Sequence, residues 1–240
     1  MSVGDHGYNI GELNLWCKMS VFESGVRVPF MIRAPGMSDA GLSSSSLAEA
    51  IDLMPTLIEL ATGIAPPSYC DGNSLAPLLK DPKATVKQGA YSEFVKCYSC
   101  CVSDAGTCDT TQRCAPGTPV VAGKGGHPAG PDDLHDMCDC FKVARQDIDF
   151  IGYSVRSTEW RYTEWLHFNG TILHGDFSRK IAHELYDHRQ DDSGAHDWDA
   201  WENENVADVA GNAQVVADMH KLLVAGFLVP TCGLPPKPPC

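Results

Sequence analysis

Asp5, His6 and Lys18 bring a carboxylate, an imidazole and an ammonium group together near the start of the chain. A carboxylate is a hard oxygen donor suited to a divalent cation, and an imidazole beside it is tolerated. Adjacent strand residues point to opposite faces, but at a strand's C-terminal end both can turn toward one ion. Open α/β sheets place their ligands at that end. Between His6 and Lys18, Gly7 and Gly11 permit tight backbone turns. An ammonium held near a cation pairs with a tetrahedral oxyanion as a point charge. Spacing alone leaves a plainer reading open for each group. Asp-His-Gly also forms an ordinary turn, and a lysine is most often a solvated surface residue.

The elements that must position these groups are short. Residues 28–33 read as a buried strand, stopped by Ala34-Pro35-Gly36. Trp16 and Phe22 read as packing residues. Across 47–62, Leu47, Ile51, Met54, Leu57, Ile58 and Ala61 form a helical apolar stripe. Pro55 inside it predicts a kink or a restart, and Gly63 a stop. Residues 90–94 read as a strand. Ile151, Tyr153 and Val155 alternate, and 160–166 is rich in aromatics and Thr, so a hairpin turning at Thr158-Glu159 is expected. An acidic loop carrying Asp187, Asp191, Asp192, Asp197 and Asp199 follows. A last helix is expected over 206–227 with the stripe Val206, Val209, Ala213, Val216, His220, Leu223 and Phe227, capped by Asn205. His167, His183, His188 and His196 lack mutual metal-ligand spacing and read as surface or core residues.

The 240 residues are 43% hydrophobic, enough for one good core or two small ones. Against 18 basic residues stand 31 acidic ones, a net charge of −13, which repels phosphate backbones and anionic lipid and argues against nucleic acid as a partner. No apolar run approaches the roughly 20 residues needed to span a bilayer. Seven of the 11 cysteines fall between Cys97 and Cys140, in a stretch of Cys, Gly, Pro and Asp without apolar period. Cys97-x-x-Cys100 and Cys138-x-Cys140 would suit a zinc knuckle, but their separation is not a standard one and Cys101, Cys108 and Cys114 are left over. Disulfides of undetermined pairing, in an oxidising compartment, are the better reading. Asn169-Gly170-Thr171 is a possible N-glycosylation acceptor that fits such a compartment.

The order of elements suggests the end of a larger α/β domain followed by an α+β part. Motifs in that order sharpen this. Gly4-Asp5-His6-Gly7-Tyr8-Asn9-Ile10-Gly11-Glu12, Leu15-Trp16-Cys17-Lys18, Phe22-Glu23 and Arg27-Val28-Pro29-Phe30-Met31-Ile32-Arg33 resemble the second half of the sulfatase family, within the alkaline-phosphatase superfamily. Asp52-Leu53-Met54-Pro55-Thr56-Leu57, Gly152-Tyr153-Ser154-Val155-Arg156 with Trp160-Arg161-Tyr162-Thr163, and Glu184-Leu185-Tyr186-Asp187 continue the resemblance.

The resemblance implies an α/β fold: the end of a sulfatase/alkaline-phosphatase-like domain over 1–96, a cysteine-rich insertion over 97–145, and an α+β subdomain of antiparallel sheet and closing helix over 146–240. It implies Ca2+ bound in part by Asp5 and His6, and Lys18 on the sulfate group of a sulfated glycan or other sulfate ester. It implies a lysosomal or secreted protein. The family's nucleophile is a formylglycine made in a Cys-x-Pro-x-Arg motif, with an Asp-Asp pair supplying further metal ligands. Here Cys114-Ala115-Pro116-Gly117-Thr118 has Thr where Arg is required, and Asp132-Asp133 and Asp191-Asp192 are out of order. The expectation is therefore a C-terminal part, inactive alone, whose first 60 or so residues expose apolar surface. A phosphoester hydrolase of the same superfamily and a non-catalytic secreted binding module are the alternatives.

Overall fold

The computed structural model describes residues 1–35, 41–96, 101–102, 108–109, 144–191 and 200–228. Contacts divide the chain into two compact units. One comprises Met1–Ser92, Tyr153–Thr163 and His183–Cys240, the other Glu93–Gly152 and Glu164–Ala182.

The first unit begins with small antiparallel pairs. β1 (Ser2–Val3) pairs with β4 (Phe30–Met31), and β2 (Asn9–Ile10) with β3 (Trp16–Cys17). The expected buried strand over 28–33 is thus two residues long, and Met31 is 63% exposed. Val3, Ile10 and Trp16 are also exposed, so Trp16 does not pack. Between these pairs sits one turn of helix, α1 (Glu23–Val26).

α2 (Leu53–Thr62) follows a single 3₁₀ turn, Ala50–Asp52. Pro55 falls in its first turn, where a backbone N–H would have no helical acceptor and its absence costs nothing, so the helix starts there without a kink. Gly63 closes it in the left-handed conformation at φ 69°, donating to the Glu59 carbonyl. The apolar stripe faces outward instead of inward. Ile51, Met54 and Leu57 are exposed, whereas Asp52, Pro55 and Thr56 are buried.

Hydrogen bonding explains the orientation. Asp52 Oδ1 accepts the Asn73 N–H at 2.8 Å, and Thr56 Oγ1 accepts the Leu75 N–H at 2.8 Å. Lys87 Nζ lies 2.6 Å from Glu49 and 2.5 Å from Asp52. Gly72 backs directly onto the Ile51 carbonyl, leaving no room for a side chain. Polar anchors, not hydrophobic burial, dock this helix within its unit.

The main sheet has the order β10-β9-β8-β5, built from β5 (Ala90–Lys96), β8 (Phe150–Arg156), β9 (Trp160–Asn169) and β10 (His174–Asp187). The β8–β9 hairpin turns where the sequence predicts, with Ser157 N–H bonded to the Trp160 carbonyl at 2.8 Å. β10 is far longer than the short strand legible at 184–187. Its middle, Ser178–Lys180 onward, is polar and exposed, so no apolar alternation marks it. In the first unit Tyr153, Val155, Tyr162, Leu185 and Leu223 form the core, all at 2% exposure or less. In the second, Leu166 is fully buried and Trp165 covers Gly152, where a Cβ would come within 2.6 Å of the indole.

The closing helix α3 (Ala213–Leu228) starts later than expected, after a 3₁₀ turn at Ala210–Asn212. Asn205 does not cap it. Its side chain accepts from the Leu185 and Ala207 amides and donates to the His183 carbonyl, tying the preceding segment to the end of β10. Phe227 stacks on Tyr153 with ring centroids 4.1 Å apart.

Of the expected cysteine-rich insertion, Cys101–Val102 (β6) and Cys108–Asp109 (β7) are described as an antiparallel pair, together with Ala144 and Arg145 at its end. The zinc or disulfide reading of the other cysteines there falls outside the described residues. Cys17 and Cys70 are free thiols.

Candidate functional site

Two clusters of ionisable side chains lie in the first unit. The first is built by the β2–β3 hairpin. Asn9 is opposite Cys17 and Ile10 opposite Trp16, so the chain returns and sets Lys18 beside the residues that precede β2. Gly11, at φ 128°, makes the tight entry to the connecting turn.

Lys18 Nζ lies 2.6 Å from His6 Nε2, and Asp5 Oδ2 lies 3.3 Å from the same nitrogen. The other ring nitrogen, Nδ1, is 2.8 Å from the Gly7 carbonyl oxygen. A carbonyl only accepts, so Nδ1 carries the proton and Nε2 presents its lone pair to the Lys18 ammonium, with the Asp5 carboxylate beside it. The three residues singled out in the sequence therefore converge. They are also accessible: the Asp5 side chain is 94% exposed and that of His6 34%.

A carboxylate oxygen and an imidazole nitrogen 3.3 Å apart are spaced as neighbouring ligands of one cation. Calcium-type ions take six to eight oxygen-rich ligands, so this pair fits as part of a shell. The remaining corners must come from other groups.

The second cluster is buried. Glu23 Oε1 accepts from Arg156 Nε at 2.7 Å and from Arg161 Nη2 at 2.8 Å. Glu202 Oε1 accepts from Arg161 Nε at 2.5 Å, and its Oε2 accepts the Glu23 amide at 2.7 Å. His188 Nε2 sits 3.1 Å from Glu202, and Asp191 meets Arg27 at 2.9 Å. Burial pushes the Glu23 carboxyl upward, but the charges of Arg161 and Arg156 outweigh it and hold the group at about 2. Arg156 is pushed down by burial, against the pull of Glu23.

Ligand atoms of Glu23, His188 and Glu202 lie within 4.8 Å of one another, a spacing a metal could use. The arginines decide against it. Arg27, Arg156 and Arg161 already offset Glu23, Glu202 and Asp191, so a dication would leave buried excess positive charge. This cluster is a structural clamp joining α1, the β8–β9 hairpin and the segment after β10. Its sequence signal was partial. Glu23, Arg156 and Arg161 stand in recognisable motifs, His188, which reads as a surface or core residue, is buried, and Glu202 carries no local signature.

In the second unit, Asn169 ends β9 at a turn. Its Oδ1 accepts the Thr171 amide at 3.0 Å, and Ile172 beside it is exposed.

Residues 11–105 match the family model described as N-sulphoglucosamine sulphohydrolase, C-terminal. The match covers about two fifths of the chain and is to the C-terminal part of a sulfatase family's sequence. Human iduronate 2-sulfatase is 26% identical over 207 residues, covering 76% of this chain and 34% of that protein. The chain thus spans about a third of the length of this relative. A solved 2-O GAG sulfatase superposes with a TM-score of 0.58 at 21% identity, over 95% of this chain and 35% of that one. A second structure, determined in complex with its substrate D-glucosamine-2-N,6-O-disulfate, gives 0.58 at 19% identity, over 97% and 35%. The fold is therefore that of the sulfatases' C-terminal region, with its antiparallel sheet and closing helix.

Proposed function

We propose that this chain forms the C-terminal part of a sulfuric ester hydrolase acting on sulfated glycans. The observation that carries the reading is the convergence of Lys18 and Asp5 on His6 Nε2, at 2.6 and 3.3 Å. Asp5 and His6 would hold Ca2+, and Lys18 would contact the sulfate group. A bound Ca2+ supplies Lewis-acid stabilisation of charge on the sulfate oxygens. The chain's own residues do the rest. His6 is oriented by its Nδ1–H bond to Gly7, which fixes Nε2 as the donor atom. Lys18 offers three N–H donors and a positive charge to the oxygens from which negative charge must be withdrawn.

The sulfatase relatives and the neighbour solved with a disulfated glucosamine support a sulfated sugar as the substrate class. The formylglycine nucleophile and further metal ligands would be supplied by N-terminal sequence of the same enzyme, since the chain spans about a third of such a relative. A lysosomal or secreted location and glycosylation at Asn169 belong to the same reading.

Sulfate release tests it. The 240 residues alone should release no sulfate from sulfated disaccharides, whereas the product of a transcript that adds an upstream Cys-x-Pro-x-Arg should. Robust turnover by the 240 residues would overturn the division of the active site. Release of phosphate from a phosphate ester, with no sulfate released from the sulfated disaccharides, by the longer product would move the chain to phosphoester hydrolysis.

A further inference from the structure

Lys18 and His6 are side chains of exposed loops, and such groups hold a fixed separation only if something behind them is rigid. The residue behind them is Asn9, fully buried, polar, and outside the reading given above. Its Nδ2 donates to the Cys17 carbonyl at 2.9 Å, one residue before Lys18. Its Oδ1 accepts from Ser24 Oγ at 2.5 Å, on α1. One residue further along α1, the Gly25 carbonyl accepts the Gly7 amide at 2.9 Å, one residue after His6.

The helix that carries Ser24 is itself held. Glu23 is bonded through its carboxylate to Arg156 and Arg161, and through its amide to Glu202. Close approach leaves little slack. The Ser24 carbonyl fills the space where Gly7 would carry a side chain, and a Cβ on Gly25 would come within 2.6 Å of Ser20 Oγ. A continuous path therefore runs from the buried clamp through Ser24 and Asn9 to the backbone on either side of the exposed pair.

Both ends of the Asn9 amide are used, and each end serves one side of the pair. Cys17, which Asn9 grips, sits at φ 67°, a conformation that a β-carbon disfavours. The Asn9 donor offsets that cost and fixes the direction in which Lys18 leaves β3.

We propose that Asn9 is a positioning residue, setting the Lys18–His6 separation through its bonds to Cys17 and Ser24. Its consequence for catalysis rests on the reading of Asp5, His6 and Lys18 given above; the geometry itself does not.

Ring-15N spectra of His6 in the full chain read the contact. In the wild type, Lys18→Met moves the Nε2 resonance because it removes the donor. Asn9→Asp is isosteric and keeps the Ser24 acceptor but loses the donor to Cys17. Asn9→Leu with Ser24→Ala removes both polar groups and keeps the space filled. The proposal predicts that in both backgrounds Lys18→Met no longer moves Nε2, even where the thermal midpoint matches the wild type. If Lys18→Met moves Nε2 by its wild-type amount in either folded background, Asn9 only fills space and the proposal is overturned. Ca2+ titrated into the same variants of the longer product, which adds the remaining ligands, tests the underlying reading separately. The wild-type His6 resonances should respond, with affinity falling about 10- to 100-fold in the Asn9 variants. A wild-type His6 that ignores Ca2+, while its Lys18 contact still depends on Asn9, overturns the cation reading and upholds the positioning role.

Discussion

The exposed trio Asp5–His6–Lys18 and the buried clamp around Glu23 both combine carboxylate, imidazole and cation, an ammonium in one and guanidiniums in the other, in opposite surroundings. In the clamp, Glu23, Arg161 and Glu202 side chains are at most 4% exposed, and the paired charges are closely hydrogen-bonded. In the trio, Asp5 is 94% exposed and has room for further ligands. Burial with each carboxylate paired to arginine makes a structural joint, because the charges offset one another. Exposure with partial partnering leaves lone pairs and a charge for a ligand. Glu23, His188 and Glu202 have ligand atoms close enough for a cation, yet the arginines there leave a cation no role.

The comparison is broken most severely by unpairing the clamp. Arg161→Met should cost roughly 3–5 kcal/mol, because it leaves Glu23 and Glu202 as underpartnered buried charges. Urea denaturation followed by circular dichroism reads the loss, and a change below 1 kcal/mol would show that the buried pairs are not strongly coupled.

Acid should unmake the clamp more gently. Glu23 is held at about 2 against an ordinary 4.5, so its contribution is complete above pH 4.5 and is lost as the pH falls toward 2. That shift is worth about 3 kcal/mol, and Glu23→Gln should flatten the fall of stability across this window. An unchanged slope would contradict the assignment.

Least of all should happen to stability on Asp5→Asn. A side chain this exposed contributes within about 0.5 kcal/mol, yet the substitution removes a charged candidate ligand. The thermal midpoint should hold while the Ca2+ response at His6 weakens in the longer product that adds the remaining ligands. A large fall in midpoint would make Asp5 a structural residue and erase the contrast with the clamp.

Much of the fold was legible because its signals are local. The β8–β9 hairpin follows from the alternation of Ile151, Tyr153 and Val155, and the end of α2 from Gly63. The failures share a cause, which is tertiary anchoring by polar groups. α2 turns its apolar stripe outward because Asp52 and Thr56 are bonded to Asn73 and Leu75, residues distant in sequence. Asn205 looks like a helix cap but serves Leu185 instead. At the candidate site, residue types and motif order brought out Asp5, His6 and Lys18. They could not bring out Asn9, whose role exists only once Ser24 and Cys17 are folded around it.

The most direct test of the central claim is the rate of sulfate release from a sulfated disaccharide by the complete enzyme, with and without Lys18→Ala. If Lys18 meets the sulfate group, kcat should fall about 10²- to 10³-fold, as for loss of one donor to a developing oxyanion, while the thermal midpoint stays put. Unchanged turnover in a folded Lys18→Ala enzyme would contradict the account.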